Sequence, residues 1–110
     1  AGIRRLGQAL VPMDEALAQA ALDLCGRAHL TFEADFTAPM CGDYDTQLTL
    51  EFFRAVAQHG GLTLHMRVCS GQNAHHMTEA LFKAFGKALD EAVSIDPRIS
   101  GVQSTKGALA

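Results

Sequence analysis

Residues 62–93 read LTLHMRVCSGQNAHHMTEALFKAFGKALDEAV, and the pattern of this stretch changes from one period to another along its length. Its first seven residues alternate between apolar and polar side chains, which predicts a half-buried strand. After a glycine-containing loop, Asn73 is positioned to cap a long helix that stops before Pro97. The apolar residues at helical spacing are Leu81, Phe85, Ala88, Ala92 and Val93.

Three further strands are predicted upstream of this stretch, and residues 3–10 contain the first of them. Ala16 to Leu24 alternates at a period of two, and we interpret it as a strand although its alanines also favour a helix. Pro12 separates residues 3–10 from residues 15–25, so we expect a turn between these two segments. Residues 30–36, which follow Gly26, alternate as well and predict a strand paired with the previous one in a hairpin.

A first helix is predicted after the turn-rich residues 38–45. Asp45 or Thr46 can cap it, and residues 60–61, both glycine, end it. Its expected buried side consists of Leu48, Phe52, Phe53, Val56 and Ala57. The order of three strands, helix, strand and helix predicts a two-layer α+β sandwich, in which a mixed, mainly antiparallel sheet carries both helices on one face. We expect a single domain over residues 1–110.

The composition of the chain argues against several classes of function. The chain has 110 residues and a net charge of -3, so we expect neither nucleic acid nor a membrane surface as a partner. No apolar run of about 18 residues is present, and the three cysteines lack close pairing, which predicts free thiols. These features indicate a soluble protein of a reducing cytoplasm.

The chemistry-bearing motif is His75-His76-x-x-Glu79 at the start of the second helix. Each histidine can share a helix face with Glu79, whereas adjacent histidines point about 100° apart and suit two metal ions better than one. Nitrogen and carboxylate ligands suit Mn, Fe or Zn. The motif alone equally fits two solvent-exposed histidines. His65 on the preceding strand is a ligand, a hydrogen-bond donor that holds a ligand in place, or a surface residue, and Glu51 lies on the polar side of the first helix.

Scattered basic residues form a second set. Lys106 within the Ser104–Gly107 segment, Arg27, and Arg4-Arg5 can together bind one phosphate group, although surface Lys and Arg side chains are mostly solvated. Lys83 follows Glu79 by four residues, which places an anion about one helical turn from the metal motif.

The ordered set of motifs resembles imidazoleglycerol-phosphate dehydratase, specifically the second of the two similar halves of that enzyme. The resemblance covers nearly the whole chain and is carried by GIRRLG (2–7), VPMDEAL (11–17), DLCGR (23–27), DTQL (45–48), NAHH (73–76), EALFKAF (79–85) and STKG (104–107). It implies one repeat of the enzyme, with a fold like domain 2 of ribosomal protein S5. The reaction it implies is the Mn-dependent dehydration of imidazoleglycerol phosphate to imidazole acetol phosphate in histidine biosynthesis.

The resemblance also implies roles for individual residues. His75, His76 and Glu79 are its metal-binding and catalytic residues, and Glu51 stands where many relatives have a metal-ligating histidine. It implies Mn²⁺ as the cofactor, with other divalent transition metals as alternatives. Its implied phosphate-binding residues are Arg5, Arg27, Lys83, Ser104 and Lys106, and His65 is the candidate for a residue that holds a metal ligand in place.

The first half of the family's enzyme has no counterpart in these 110 residues. Three explanations stay open: a fragment of a longer enzyme, a half that pairs with a separate first-half chain, or a homo-oligomer whose copies play both parts. The functional alternative to a dehydratase half is a catalytically silent module that binds metal or supports assembly.

Overall fold

The computed structural model describes residues 2–99. Its elements are β1 (Leu6–Met13), β2 (Ala16–Asp23), β3 (His29–Glu33), β4 (Met40–Cys41), β5 (Tyr44–Asp45), α1 (Gln47–Gly60), β6 (Thr63–Ser70), α2 (Ala74–Val93) and a 3-10 turn (Pro97–Ile99). Four strands form one sheet in the order β1-β2-β6-β3, and β4 pairs with β5 apart from it. Both helices pack on one face of the four-stranded sheet, which confirms the predicted two-layer α+β class.

β1 and β2 form an antiparallel hairpin whose turn is Asp14-Glu15. The turn was expected at Pro12, and that expectation is wrong. Pro12 lies inside β1 and pairs in register with Leu17. The sheet tolerates it because β1 is an edge strand, where a residue without an N–H group can face solvent. Asp14 takes a positive φ of 51°, which a tight turn requires and aspartate tolerates better than most residues.

The predicted hairpin between β2 and β3 is also wrong. β6 lies between these two strands, antiparallel to β2 and parallel to β3. A parallel pair needs a crossover connection, and α1 provides it. The strands themselves lie close to where the alternation placed them, so the error concerns the partner of β3.

Small residues let α2 lie close to the hairpin. The inward positions of β2 include Ala18 and Ala20, both fully buried, and the facing side of α2 is lined with alanine. Gly7 of β1 lies against Ala88, and a Cβ atom at Gly7 would lie only 1.8 Å from the Ala88 carbonyl oxygen. The close contact between sheet and helix therefore depends on the absence of a side chain at residue 7.

The buried side of α1 differs in part from the prediction. Phe53 and Ala57 are buried as expected, together with Thr49, but Leu48 is 53% exposed and Phe52 is 44% exposed. The buried stripe follows the i, i+4 row that contains Phe53, whereas Leu48 and Phe52 lie on the adjacent row, which the sheet does not cover. Within residues 2–99, neither helix is long and apolar enough to cross a membrane.

Candidate metal and phosphate sites

The metal motif begins directly after the loop that joins β6 to α2. Asn73 has extended backbone dihedrals, and its side-chain oxygen accepts a hydrogen bond from the His76 amide at 3.1 Å. This confirms Asn73 as the helix cap and fixes His75, His76 and Glu79 in the first two turns of α2.

His75 and Glu79 lie together on one exposed side of α2. The His75 Nε2 atom is 3.5 Å from Glu79 Oε1, and the two side chains are 63% and 44% exposed. Two ligand atoms at right angles, each about 2.1 Å from one cation, are about 3.0 Å apart. A small movement of the two side chains towards each other therefore lets the His75 nitrogen and the Glu79 carboxylate bind the same divalent cation. These two ligand types fit the metal that the resemblance implies.

His76 has different neighbours, both from the β1–β2 turn. Its Nδ1 atom is 2.7 Å from Glu15 Oε1, and its Nε2 atom is 3.3 Å from Asp14 Oδ2. The centres of the His75 and His76 rings are 6.3 Å apart. The two adjacent histidines thus belong to two separate groups of side chains, as the helical geometry led us to expect.

Glu15 was not identified from the sequence, although its carboxylate contacts His76 and the two residues that directly precede the second helix. Its Oε2 atom accepts hydrogen bonds from the backbone N–H groups of Asn73 at 2.8 Å and Gln72 at 3.0 Å. These bonds, followed by the bond from His76, lower the pKa of Glu15 to about 2. The same Glu15 carboxylate raises the pKa of His76. The signal that was available is the VPMDEAL motif, which places two carboxylates in a tight turn.

No complete metal site forms within this part of the chain. Among residues 2–99, no three His, Cys, Asp or Glu side chains are grouped so that they could hold one metal ion. The motif instead provides two N/O pairs that point in different directions. Within residues 2–99 of one chain, neither pair is joined by a third His, Cys, Asp or Glu side chain in position to ligate the same ion.

Glu51 lies on α1, and its carboxylate pairs with Arg54 on the same helix at 2.8 Å. The neighbouring Phe52 ring is 5.2 Å from the ring of Phe82 on α2. Glu51 and Glu79 are therefore on adjacent helices, but the structure does not bring Glu51 into a group with the motif.

His65 points away from the motif. It is exposed on the face of the sheet opposite the helices, and its ring lies 5.6 Å from the ring of His29. β6 continues for five residues beyond His65 before the loop that leads to α2. The structure therefore separates His65 from the helix whose ligands it was expected to support.

Two of the predicted phosphate-binding residues lie at the other end of the sheet. The Arg5 guanidinium pairs with Asp23 at 2.9 Å, and the Arg5 amide donates to the Ala92 carbonyl near the end of α2. Arg27 is exposed close to the start of β6, where its carbonyl accepts a hydrogen bond from Thr63. A cleft of about 460 Å³ opens at this end and is lined by side chains of both charge signs.

The helix that joins the two ends sets their separation. His76 and Ala92 are sixteen residues apart on α2, which corresponds to about 24 Å at 1.5 Å per residue. Lys83 is exposed on α2 between these points, one turn beyond Glu79. Ser104 and Lys106 lie outside the described residues. Within one chain, the motif and the two arginines therefore cannot bind the same small substrate.

The amino-acid sequence is similar to known proteins over most of its length. Residues 1–89 match the family described as imidazoleglycerol-phosphate dehydratase. A protein of that name from Ruminiclostridium cellulolyticum is 58% identical over 107 residues, which are 97% of this chain and 55% of the relative. One from Listeria monocytogenes is 58% identical over 109 residues, which are 99% of this chain and 56% of the relative. The chain thus spans about half the length of the curated relatives it matches.

Solved structures agree with the sequence matches. The crystal structure of imidazoleglycerol-phosphate dehydratase from Staphylococcus aureus superposes with a TM-score of 0.85 at 42% identity, over 87% of this chain and 56% of that one. The enzyme from Pyrococcus furiosus, crystallised in complex with (S)-C348, gives a TM-score of 0.80 at 32% identity, over 89% of this chain and 55% of that one.

Proposed function

Because the chain belongs to the imidazoleglycerol-phosphate dehydratase family, we propose that it provides one half of such an enzyme, which dehydrates imidazoleglycerol phosphate in histidine biosynthesis. The observation that carries this proposal is the pairing of His75 with Glu79 beside a second, separately oriented histidine, His76. These three residues would bind Mn²⁺ or another divalent transition metal. We place the enzyme in the cytoplasm, a proposal supported by the three unpaired cysteines.

The bound metal would polarise the substrate's imidazole ring and so favour loss of a nearby proton and hydroxyl group. The chain would supply residues for each end of the substrate, although not for both ends of one bound molecule. His75, His76 and Glu79 would bind on the metal side, where Glu51 is a further candidate ligand. Arg5, Arg27 and Lys83, together with Ser104 and Lys106, would bind the phosphate, because cationic side chains and hydroxyl groups are its usual partners.

We propose that each complete site combines residues from more than one half-domain. The motif of one half-domain would meet the phosphate-binding arginines of another, because about 24 Å of helix separates the two groups in a single chain. Our proposed partner is therefore a second half-domain of the same fold, either a complementary first half or another copy.

The apolar surface for that partner is the side of the two helices that the sheet does not cover. Leu48 and Phe52 are large, exposed and adjacent on α1, and Phe52 also contacts Phe82 of α2. Adjacent exposed apolar side chains are candidates for such a protein–protein contact. Phe52→Asp should reduce the mass of the assembly in sedimentation experiments, while Gln58→Asp, at an exposed polar position of the same helix, should leave it unchanged. Equal masses for the two variants would contradict this surface.

The proposed function is tested by a dehydration assay with imidazoleglycerol phosphate and Mn²⁺. The 110-residue chain is assayed alone and after mixing with the part of the Listeria monocytogenes relative that it does not match. We expect activity in an assembled sample and its loss with Glu79→Ala. A silent assembly module would instead form the complex and bind metal without turnover, which would reject the enzymatic proposal.

A further inference from the structure

A carboxylate from the β1–β2 turn holds both the start of α2 and one of the proposed metal-binding histidines. Glu15 Oε2 accepts the amides of Gln72 and Asn73, which directly precede α2. Glu15 Oε1 is 2.7 Å from His76 Nδ1. One side chain therefore connects the hairpin turn, the helix start and the imidazole ring.

The His76 Nδ1 contact to Glu15, at 2.7 Å, is shorter than the Nε2 contact to Asp14, at 3.3 Å, and this difference favours a proton on Nδ1 when the ring is neutral. An ionised carboxylate only accepts hydrogen bonds, so the His76 nitrogen that faces Glu15 must donate one. The proton is then on Nδ1, and the lone pair available to a cation is on Nε2. Asp14 Oδ2 lies 3.3 Å from that Nε2 atom, on the side of the ring away from Glu15.

We propose that Glu15 is a positioning residue, which holds the His76 ring so that Nε2 faces outward as the metal-binding nitrogen. The inference rests on the proposed function, because it assumes that His76 is a metal ligand. Carboxylates that hold the second nitrogen of a ligating histidine fix the ring orientation and raise its basicity, and losing them weakens metal affinity by about 10–100-fold.

The first test needs no metal. Nitrogen NMR of the metal-free chain, at a pH where the His76 ring is neutral, reports which ring nitrogen is protonated. We expect a predominant Nδ1–H form in the parent protein and a shift towards the mixture typical of a free imidazole in Glu15→Ala. A predominant Nε2–H form in the parent overturns the inference, whether or not the variant folds.

The second test measures Mn²⁺ affinity calorimetrically in the parent and in Glu15→Gln. Gln has the same shape and still accepts from the two amides, so a circular dichroism spectrum like that of the parent is expected. The matched control is Glu33→Gln, at an exposed carboxylate on β3. We expect Mn²⁺ affinity to fall by about 10–100-fold in Glu15→Gln and to stay unchanged in the control. Equal affinity in parent and Glu15→Gln overturns the positioning role, whereas a parent that binds no Mn²⁺ in any assembly overturns the proposed function instead.

Discussion

The two adjacent histidines of the motif have different surroundings because a helix turns by about 100° per residue. His75 faces Glu79 on its own helix, whereas His76 faces the turn that contains Glu15. The sequence predicted the motif and its split into two directions, since both follow from spacing on one helix. It did not reveal the contact with Glu15, because that residue is 61 positions away and comes close to His76 only when the hairpin packs beside α2.

Replacing Gly7 tests the close contact between β1 and α2. Gly7→Ala places a methyl group against the Ala88 carbonyl, so the strand and helix must separate. We expect the free energy of unfolding to fall by about 3 kcal/mol, at the upper end of the usual cost of overpacking. Urea denaturation measures this change.

The control is Gly86→Ala in the middle of α2, where an added methyl group meets no atom within 4 Å. Alanine is the better helix former, so this variant should gain about 1 kcal/mol. A Gly7→Ala protein as stable as the parent would contradict the proposed close contact between β1 and α2.

The positions of individual strands were predicted more reliably than the pairing between them. Alternation identified the strands because it reports one half-buried face, but it contains no information about which strand lies alongside. β6 enters between β2 and β3 through the α1 crossover, and this placement is a property of the whole sheet. The buried side of α1 was predicted too broadly for a similar reason, because Leu48 and Phe52 are apolar yet lie outside the area covered by the sheet.

The start of α2 depends on its cap. Asn73→Ala removes the acceptor for the His76 amide, so we expect a loss of about 1 kcal/mol in the free energy of unfolding. Asn73→Ser keeps a capping oxygen and should remain within a few tenths of a kcal/mol of the parent. Thermal denaturation followed by circular dichroism compares the three proteins, and the cap is unimportant if the alanine and serine variants melt together.

At the scale of the whole molecule, a charged cluster joins the N-terminal segment to the segment after α2. Asp96 is buried and pairs with Arg4 at 3.5 Å and with Arg98 at 3.2 Å. The hydrogen bonds from Arg98, with a smaller contribution from the charge of Arg4, lower the pKa of Asp96 below its ordinary value of 3.8. The folded state therefore favours the ionised carboxylate more than the unfolded state does.

The sign of the resulting pH dependence follows from this lowered pKa. The stabilising contribution of Asp96 is complete above the ordinary pKa of 3.8 and is lost as the pH falls through the lower folded value. The difference in melting temperature between the parent and Asp96→Asn should be constant from about pH 8 to pH 5 and shrink below about pH 4. Asp90→Asn, at an exposed position on α2, should show no such change. A difference that grows on acidification would contradict the ion-pair assignment.

The arrangement of the two candidate sites was not predictable from the order of residues. Arg5 and His76 lie at opposite ends of the sheet because β1 runs away from the end where α2 ends, and α2 runs back along the whole sheet. Sequence motifs identified both groups of residues but not their separation. That separation is the physical reason for proposing a site shared between half-domains.

A titration of Mn²⁺ combined with measurement of mass in solution tests whether the metal site is shared between half-domains. It is carried out on the 110-residue chain alone, on its mixture with the unmatched part of the Listeria monocytogenes relative, and on both with Glu79→Ala. We expect tight Mn²⁺ binding only in assembled species, and much weaker binding with Glu79→Ala. Tight binding by a monomer, or equal binding by the Glu79→Ala variant, would contradict it.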